Sequence, residues 1–430
     1  MIIIDTKLAE LSSAGKKIRV WLIGAGFMSK GIANQIINYS KWIELVAIAN
    51  RTLEKAIECF KYAEIFDIWH ASTQNEFNTL VEKGIPIATD NPFFLTQSDF
   101  IDVIVEVTGT IEYALKVIID AIDQNKHVVL MNAELDSTLG PILKLKADKK
   151  GIIYTNADWD QPGVIMNLYR FVKGIWIKPV LCGNIKWLHD PYRNPETQKW
   201  FAEKWGQNPS MVTSFADWSK ISFEQSIVAN ATSMSVAKRG MNWINMPLGT
   251  PITETVNLFS KEHLEIEGWI VDYVVWATPS PGVFVIGTCN DPKQKHYLNL
   301  YKLWEGPYYC FYTPYHLCHF EVPNTIARAF LLHDATLAPA GAPKVTVITI
   351  AKKDLKKWEA LDWIGNFMVY WVCENFNTSC NENLLPLWLS ENCILKRNIS
   401  KDEPISFEDV ILPPWRLCDE IWNEQIAFFW

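Results

Sequence analysis

The sequence predicts an α/β protein that opens with a doubly wound parallel sheet, continues into an α+β domain and closes with a small β-rich module. Three observations carry that expectation. Short apolar runs alternate with helical patterns as far as Thr155, a glycine-rich turn stands between the first run and the first helix, and the pattern changes after Asp160-Gln161-Pro162. With 430 residues the chain exceeds the roughly 250–300 residues at which single cores stop growing. Domains are therefore expected over 1–157, 158–340 and 341–430.

The first strand is Ile18 to Ile23, an apolar run short enough for a buried strand, and Phe27 to Tyr39 follows as a helix with Ile32, Ile36 and Ile37 on one side. Between them lies Gly24-Ala25-Gly26-Phe27-Met28-Ser29. A strand before such a turn and a helix after it make the glycines informative. Gly24 permits the tight turn, Gly26 lets a diphosphate approach the backbone, and Phe27 and Met28 open a helix whose N-terminus carries partial positive charge. Ser29 stands where a third small residue packs helix on strand. This is the dinucleotide-binding turn of a Rossmann domain, and it predicts NAD(P).

Glu44 to Ala49 forms the second strand and runs into Asn50-Arg51-Thr52. No acid stands where a carboxylate would bind the adenine ribose hydroxyls, and Arg51 could pair with a 2′-phosphate, which favours NADP over NAD. A third apolar run, Asp102 to Thr108, ends in Thr108-Gly109-Thr110, a turn expected beneath the nicotinamide half. Helical patterns at 111–123 and 138–150 alternate with strands at 127–131 and 152–155. Asn132 is counted with the cofactor residues. Glu134 and Asp136 begin just past a strand's carboxyl end, where open α/β sheets bind ligands, and could take substrate hydroxyls or a divalent cation.

Asp160-Gln161-Pro162 reads as an N-cap with an early proline, opening a helix at the domain boundary. Beyond it, strands at 269–276 and 282–286 mix with helices at 223–232 and 323–332, as in an α+β domain. In the last ninety residues Lys352 to Leu361 aligns without a gap to Lys396 to Ile405, an internal echo expected to shape turns.

The net charge of -8 offers nothing to a nucleic-acid backbone. No run approaches the ~18 apolar residues of a membrane span, and the acid after the first apolar triplet is unlike an export signal. Nine cysteines never form C-x-x-C, which fits a reducing cytoplasm. A small-molecule substrate and a homo-oligomer are expected. His316-Leu317-Cys318-His319 has the wrong spacing for a four-ligand zinc site, so no metal is assigned. Twenty tryptophans are unusually many, and packing is the reading they take.

His127 to Asp136, Leu139-Gly140-Pro141 and Asp160-Gln161-Pro162 resemble homoserine-dehydrogenase-like oxidoreductases. Lys186, Asn208-Pro209, Ser214-Phe215, Asp217, Lys220, Glu224, Val228 to Thr232 and Tyr312 to Leu317 extend the likeness. Within that group the sequence is similar to the DXP-reductoisomerase-like family, NADPH enzymes of isoprenoid precursor synthesis. The tail, through Lys396 to Asp409, resembles a SAF module. The likeness implies Asp217 and Lys220 as a catalytic pair at helical spacing, with Glu224 one turn on and Lys186 on a strand reaching the same cleft. It also implies Asp160, Gln161, Asn230 and His316 on the substrate side. Asn132-Ala133-Glu134 presents an acid where homoserine dehydrogenases carry a lysine, which sets homoserine aside as the first choice.

Carbonyl reduction needs a hydride, a stabiliser of charge on oxygen and a proton source; lysine can serve the last two. The leading expectation is an NADP-dependent reductase of a small, polar, phosphorylated or unphosphorylated carbonyl compound. Alternatives are a homoserine-dehydrogenase-type alcohol dehydrogenase and an NAD(P)-binding sensor without turnover. A sugar-modifying enzyme of surface polysaccharide synthesis is a further one, resting on the SAF-like tail.

Overall fold

A computed structural model describes residues 4–158, 160–266 and 268–430. They divide into two compact units: one runs up to Gly163 and takes back Leu317–Ala338, and the other holds Val164–His316 with Pro339–Trp430.

The first unit is a seven-stranded sheet: β1 (Ile18–Ile23), β2 (Ile43–Ala49), β3 (Trp69–His70), β4 (Ile87–Thr89), β5 (Val103–Glu106), β6 (His127–Leu130) and β7 (Tyr154–Asn156). The order is β3-β4-β2-β1-β5-β6-β7, and every pairing is parallel. Helices cover both faces, so the central strands read as near-continuous apolar runs. Ile18, Val20, Trp21, Leu22 and Ile23 of β1 are all fully buried. The helix after β1 spans Phe27–Asn34 and continues to Tyr39 as a π-turn. Three helices that periodicity had not singled out, Asp5–Ser13, Leu53–Tyr62 and Gln74–Glu82, complete the layers.

From β1 the chain winds outward to β2, then returns to the other side of β1 to begin β5. That reversal makes a crevice at the carboxyl ends of β1 and β5, the place where doubly wound sheets take ligands. Leu317–Ala338 returns to this unit because its apolar face, Val322, Ile326, Ala327 and Ala329, joins the core of the sheet. Buried Asp158 anchors it, accepting from Thr325 and Thr336 hydroxyls (both 3.2 Å) and pairing with Arg328 at 3.5 Å.

The second unit is built on a mixed five-stranded sheet of β8 (Lys178–Lys186), β9 (Ile244–Asn245), β10 (Ile270–Val275), β11 (Gly282–Thr288) and β12 (Tyr308–Thr313), ordered β12-β11-β8-β10-β9. A hairpin-like pair, β13 (Val345–Ala351) and β14 (Val369–Asn375), and a short pair, β15 (Ile394–Leu395) and β16 (Val410–Ile411), complete it. The helix Ser219–Thr232 has apolar contacts on both sides, with Val271 and Tyr273 of β10 and with Val345 and Cys373 of the later pair. Its small polar residues serve that double burial: Ser226 Oγ donates to Val345 O at 3.1 Å, and Ser222 O accepts from the Cys373 thiol at 2.9 Å.

The internal echo has a structural counterpart. Leu355 and Ile399, equivalent positions of its two copies, exchange reciprocal backbone hydrogen bonds of 2.8 and 3.0 Å. The two segments therefore pair with each other about a local two-fold. Among the described residues no helix is long and apolar enough to cross a membrane.

Candidate active site

On the first unit the glycine turn sits at the crevice. Gly24 adopts φ +109°, and a Cβ there would stand 2.8 Å from Val107 O. The sequence assigned it to turn geometry alone; it also lets β1 lie against the exit of β5. A Cβ on Gly26 would meet nothing within 4 Å, and no side chain caps the helix Gly26 introduces. Open space beside Gly26 and an uncapped helix start are what a diphosphate requires. Phe27 is exposed, Met28 half-buried, and Ser29 fully buried in the third small position. A second small contact went unread: a Cβ on Gly31 would run into the His319 ring at 2.8 Å.

Asn50 ends β2 with its Nδ2 donating to Thr52 O at 2.8 Å, and Arg51 is exposed with its guanidinium 5.4 Å over the Tyr113 ring. Thr108 and Gly109 follow β5, beside β1. Asn132 ties that turn to the next one: Nδ2 donates to Thr110 O at 2.9 Å while Oδ1 accepts from Leu135 N at 3.1 Å.

Sequence reasoning passed over Glu106, the last residue of β5. It is fully buried, accepts from Thr108 N at 2.7 Å and from the Thr108 hydroxyl, and burial pushes its carboxyl up to about 7 against those hydrogen bonds. An acid closing an otherwise apolar strand was the available signal.

Glu134 and Asp136 follow the carboxyl end of β6 as expected, but the helix that carries them begins earlier than 138, at Ala133, and both lie buried in its first turns. Asp136 is committed internally, accepting from Tyr154 Oη and Asn156 Nδ2 at 2.8 Å each, and burial raises its carboxyl to about 6. Asp160 and Gln161 are buried at the start of the helix Gln161–Gly174, where Asp160 Oδ1 accepts from Gln161 N at 2.9 Å.

The second unit collects the predicted catalytic side chains, far apart in sequence. Lys186, at the end of β8, and Lys220, in the first turn of the helix Ser219–Thr232, both pair with Glu224, at 3.0 and 3.3 Å. Glu224 is 1% exposed and also accepts from Asn184 Nδ2 at 2.7 Å, while Gln225 Nε2 donates to Asn184 Oδ1 at 2.8 Å. Two ammonium groups are thus gathered at one buried carboxylate. Such a group can stabilise an oxyanion and deliver a proton. Asn184 and Gln225 were missed because only β8 and the helix, folded together, make them neighbours.

The expected Asp217–Lys220 pairing is corrected. Asp217 precedes the helix, is fully buried and pairs with Lys352 at 2.7 Å. Lys352 Nζ also donates to Arg193 O and Asn366 O at 2.8 and 2.9 Å, so this ion pair holds the echo segment against the helix start. Asn230 is likewise bonded internally: its amide bonds Lys344 N, Val345 N and Val345 O at 2.7, 3.1 and 3.0 Å. His316 lies half-buried beyond β12. Among the described residues no group of three or more His, Cys, Asp or Glu side chains is placed to hold a metal.

Protein-family models match two stretches of the chain. Residues 24–155 match the NAD-binding domain of homoserine dehydrogenase, and residues 159–322 match the catalytic domain described as oxidoreductase DRL. The chain therefore combines a match to an NAD-binding domain with a match to an oxidoreductase catalytic domain. A search of curated proteins finds no match.

Solved structures similar to parts of this chain include myo-inositol dehydrogenase from Lactobacillus casei in complex with NAD(H) and myo-inositol. It is 16% identical, covers 42% of this chain and 50% of its own, and has a TM-score of 0.29. A 3-ketoreductase from Actinomadura kijaniata in complex with NADP is 17% identical over 40% of this chain and 50% of its own, with TM-score 0.28. A levoglucosan dehydrogenase in complex with NADH is 18% identical over 42% and 46%, with TM-score 0.29. The chain spans about half the length of the solved structures it matches.

Proposed function

We propose that the protein reduces the carbonyl group of a small, polar, anionic compound with NADPH, using Lys220 and Lys186 as its catalytic residues. The observation that carries this reading is the pair of lysines sharing buried Glu224. Bound nicotinamide supplies the hydride. The turn at Gly24 and Gly26 would hold the diphosphate on bare amides, Thr108 and Gly109 the nicotinamide half, and Arg51 the 2′-phosphate.

As the carbonyl carbon accepts the hydride, its oxygen gains negative charge. Lys186 offers that oxygen a fixed cation, and Lys220 gives it a proton to complete the alcohol; solvent then reprotonates the amine. Glu224 holds both ammonium groups in place, so little reorganisation is needed during the reaction. Lysine side chains also suit a substrate with an anionic group of its own, such as a phosphate. A reductoisomerase of the DXP type would add a carbon-skeleton rearrangement before the same reduction.

The test is direct. NADPH and NADH are titrated by fluorescence, and 1-deoxy-D-xylulose 5-phosphate, aspartate semialdehyde and a panel of keto-sugars with and without phosphate are then offered to the complex. Oxidation of NADPH by a phosphorylated carbonyl is the expected result. Tight binding with no oxidation by any compound would make the chain a sensor, and preference for NADH would remove Arg51 from its role.

A further inference from the structure

The tryptophans, which packing alone was expected to explain, follow an unexpected rule. Among the described residues eighteen other than glycine adopt positive φ, and eight of them are tryptophan: Trp176, Trp218, Trp243, Trp269, Trp276, Trp304, Trp358 and Trp415. The left-handed region is crowded by any Cβ, and a bulky residue there is an outlier. Aromatic bulk is not the cause, since none of the 21 phenylalanines or 14 tyrosines is among the eighteen. The residue that does behave this way is glycine, eleven of whose twenty members have positive φ.

Local geometry says the same. Trp176 follows the helix Gln161–Gly174 and closes it: Trp176 N donates to Lys173 O and Ile177 N to Val172 O, at 3.0 and 3.2 Å. That is a Schellman turn, whose left-handed position usually belongs to glycine. The same bond pair closes helices around Gly15, Gly84, Gly151 and Gly206, and around Glu64, Asn125, Lys302 and Asn383, none of them β-branched or aromatic. Nor do contacts offset the strain everywhere. Trp176 and Trp415 are 92% and 95% exposed, so those two rings bury almost no apolar surface. Glycine itself, at 20 of 430 residues, falls below the roughly 7% usual in proteins, and eight more would restore most of the shortfall.

We infer that these eight tryptophan positions are glycine positions, and that the protein made in its own cell carries glycine at each. One codon joins the two residues chemically unrelated in every other way: UGA, a stop in the standard code, is read as tryptophan in some cells and as glycine in others. A gene written in the second code gives this pattern when decoded by the first. The consequence reaches the second unit's site. Trp218 directly follows Asp217, and with Trp243 it fills the space around His189, the rings standing 4.2 and 5.3 Å from the imidazole. With glycine at both positions His189, Tyr273 and Tyr370 would border a hollow beside Asp217 and Lys352. This inference rests on backbone geometry and is independent of the proposed reaction.

Two measurements decide it. Peptide mass spectrometry of the protein isolated from its source cell should read glycine at the eight positions; tryptophan there overturns the inference. Separately, the chain bearing all eight Trp→Gly substitutions should unfold several degrees above the tryptophan chain, whereas Trp422→Gly, at a buried helical position, should lower the midpoint. An eightfold variant that melts at or below the tryptophan chain also overturns it.

Discussion

The two ends of the proposed reaction are built in opposite ways. On the first unit the cofactor surface is backbone: bare amides after Gly26, reached because no side chain occupies the approach. On the second, the working groups are side chains, Lys186, Lys220 and Glu224, brought from a strand and a helix that are distant in sequence. A backbone site is encoded by what is left out over a few consecutive residues. A side-chain site is encoded by a whole domain's packing, and its failure modes differ accordingly.

The sharpest way to separate the two is to disable each alone. Lys220→Ala should cut turnover by roughly 10² to 10⁴, the range for losing an acid–base group, while NADPH affinity by fluorescence stays within about threefold. Equal losses of both would mean that the two sites are not separable. Gly26→Val should do the reverse, weakening NADPH binding by at least about 10² through occupation of the diphosphate's approach, with the thermal midpoint little changed. Retained tight binding in that variant would place the cofactor elsewhere.

Smaller effects test how each site is supported. Glu224→Leu leaves two partly buried ammonium groups without their shared carboxylate, and denaturant unfolding should show a loss of about 3 kcal/mol. A loss near zero would make the cluster ornamental to stability. Glu106 on the cofactor side predicts a pH dependence. Its carboxyl binds its proton more tightly in the folded state, titrating at about 7 against an ordinary 4.5. The folded protein therefore holds the extra proton between those values, and stability falls as pH rises through that window, by up to about 3 kcal/mol. Glu106→Gln should flatten the fall in thermal midpoint between pH 5 and pH 8; an unchanged slope would show that Glu106 does not set it. Arg51→Ala should weaken NADPH about tenfold, the scale of one charge-assisted hydrogen bond, and leave NADH unaffected.

Legibility followed the same divide. The β1 strand, the glycine turn, Arg51 and Thr108-Gly109 could be read in place because a strand, a turn and a helix start are each set by a few neighbouring residues. The start of the helix carrying Glu134 and Asp136 was misplaced because helix boundaries depend on capping, here by Asn132, more than on apolar period. Asp217 was matched to Lys220, its neighbour at helical spacing, whereas its partner is Lys352, 135 residues away. Leu317–Ala338 gave no local sign that it would return to the first unit, since its apolar face would suit either core.

What this sequence determined unaided is the nucleotide-binding strand, turn and helix, because backbone conformation there is governed by steric permission at glycine and by periodic burial, both local. What only the tertiary structure decided is which charges meet: the two lysines on Glu224 and the removal of Asp217, Asp136 and Asn230 into internal bonds. Burying a charge or an amide is tolerable only beside a partner, and partners are chosen by the packing of distant segments, which no spacing along the chain records.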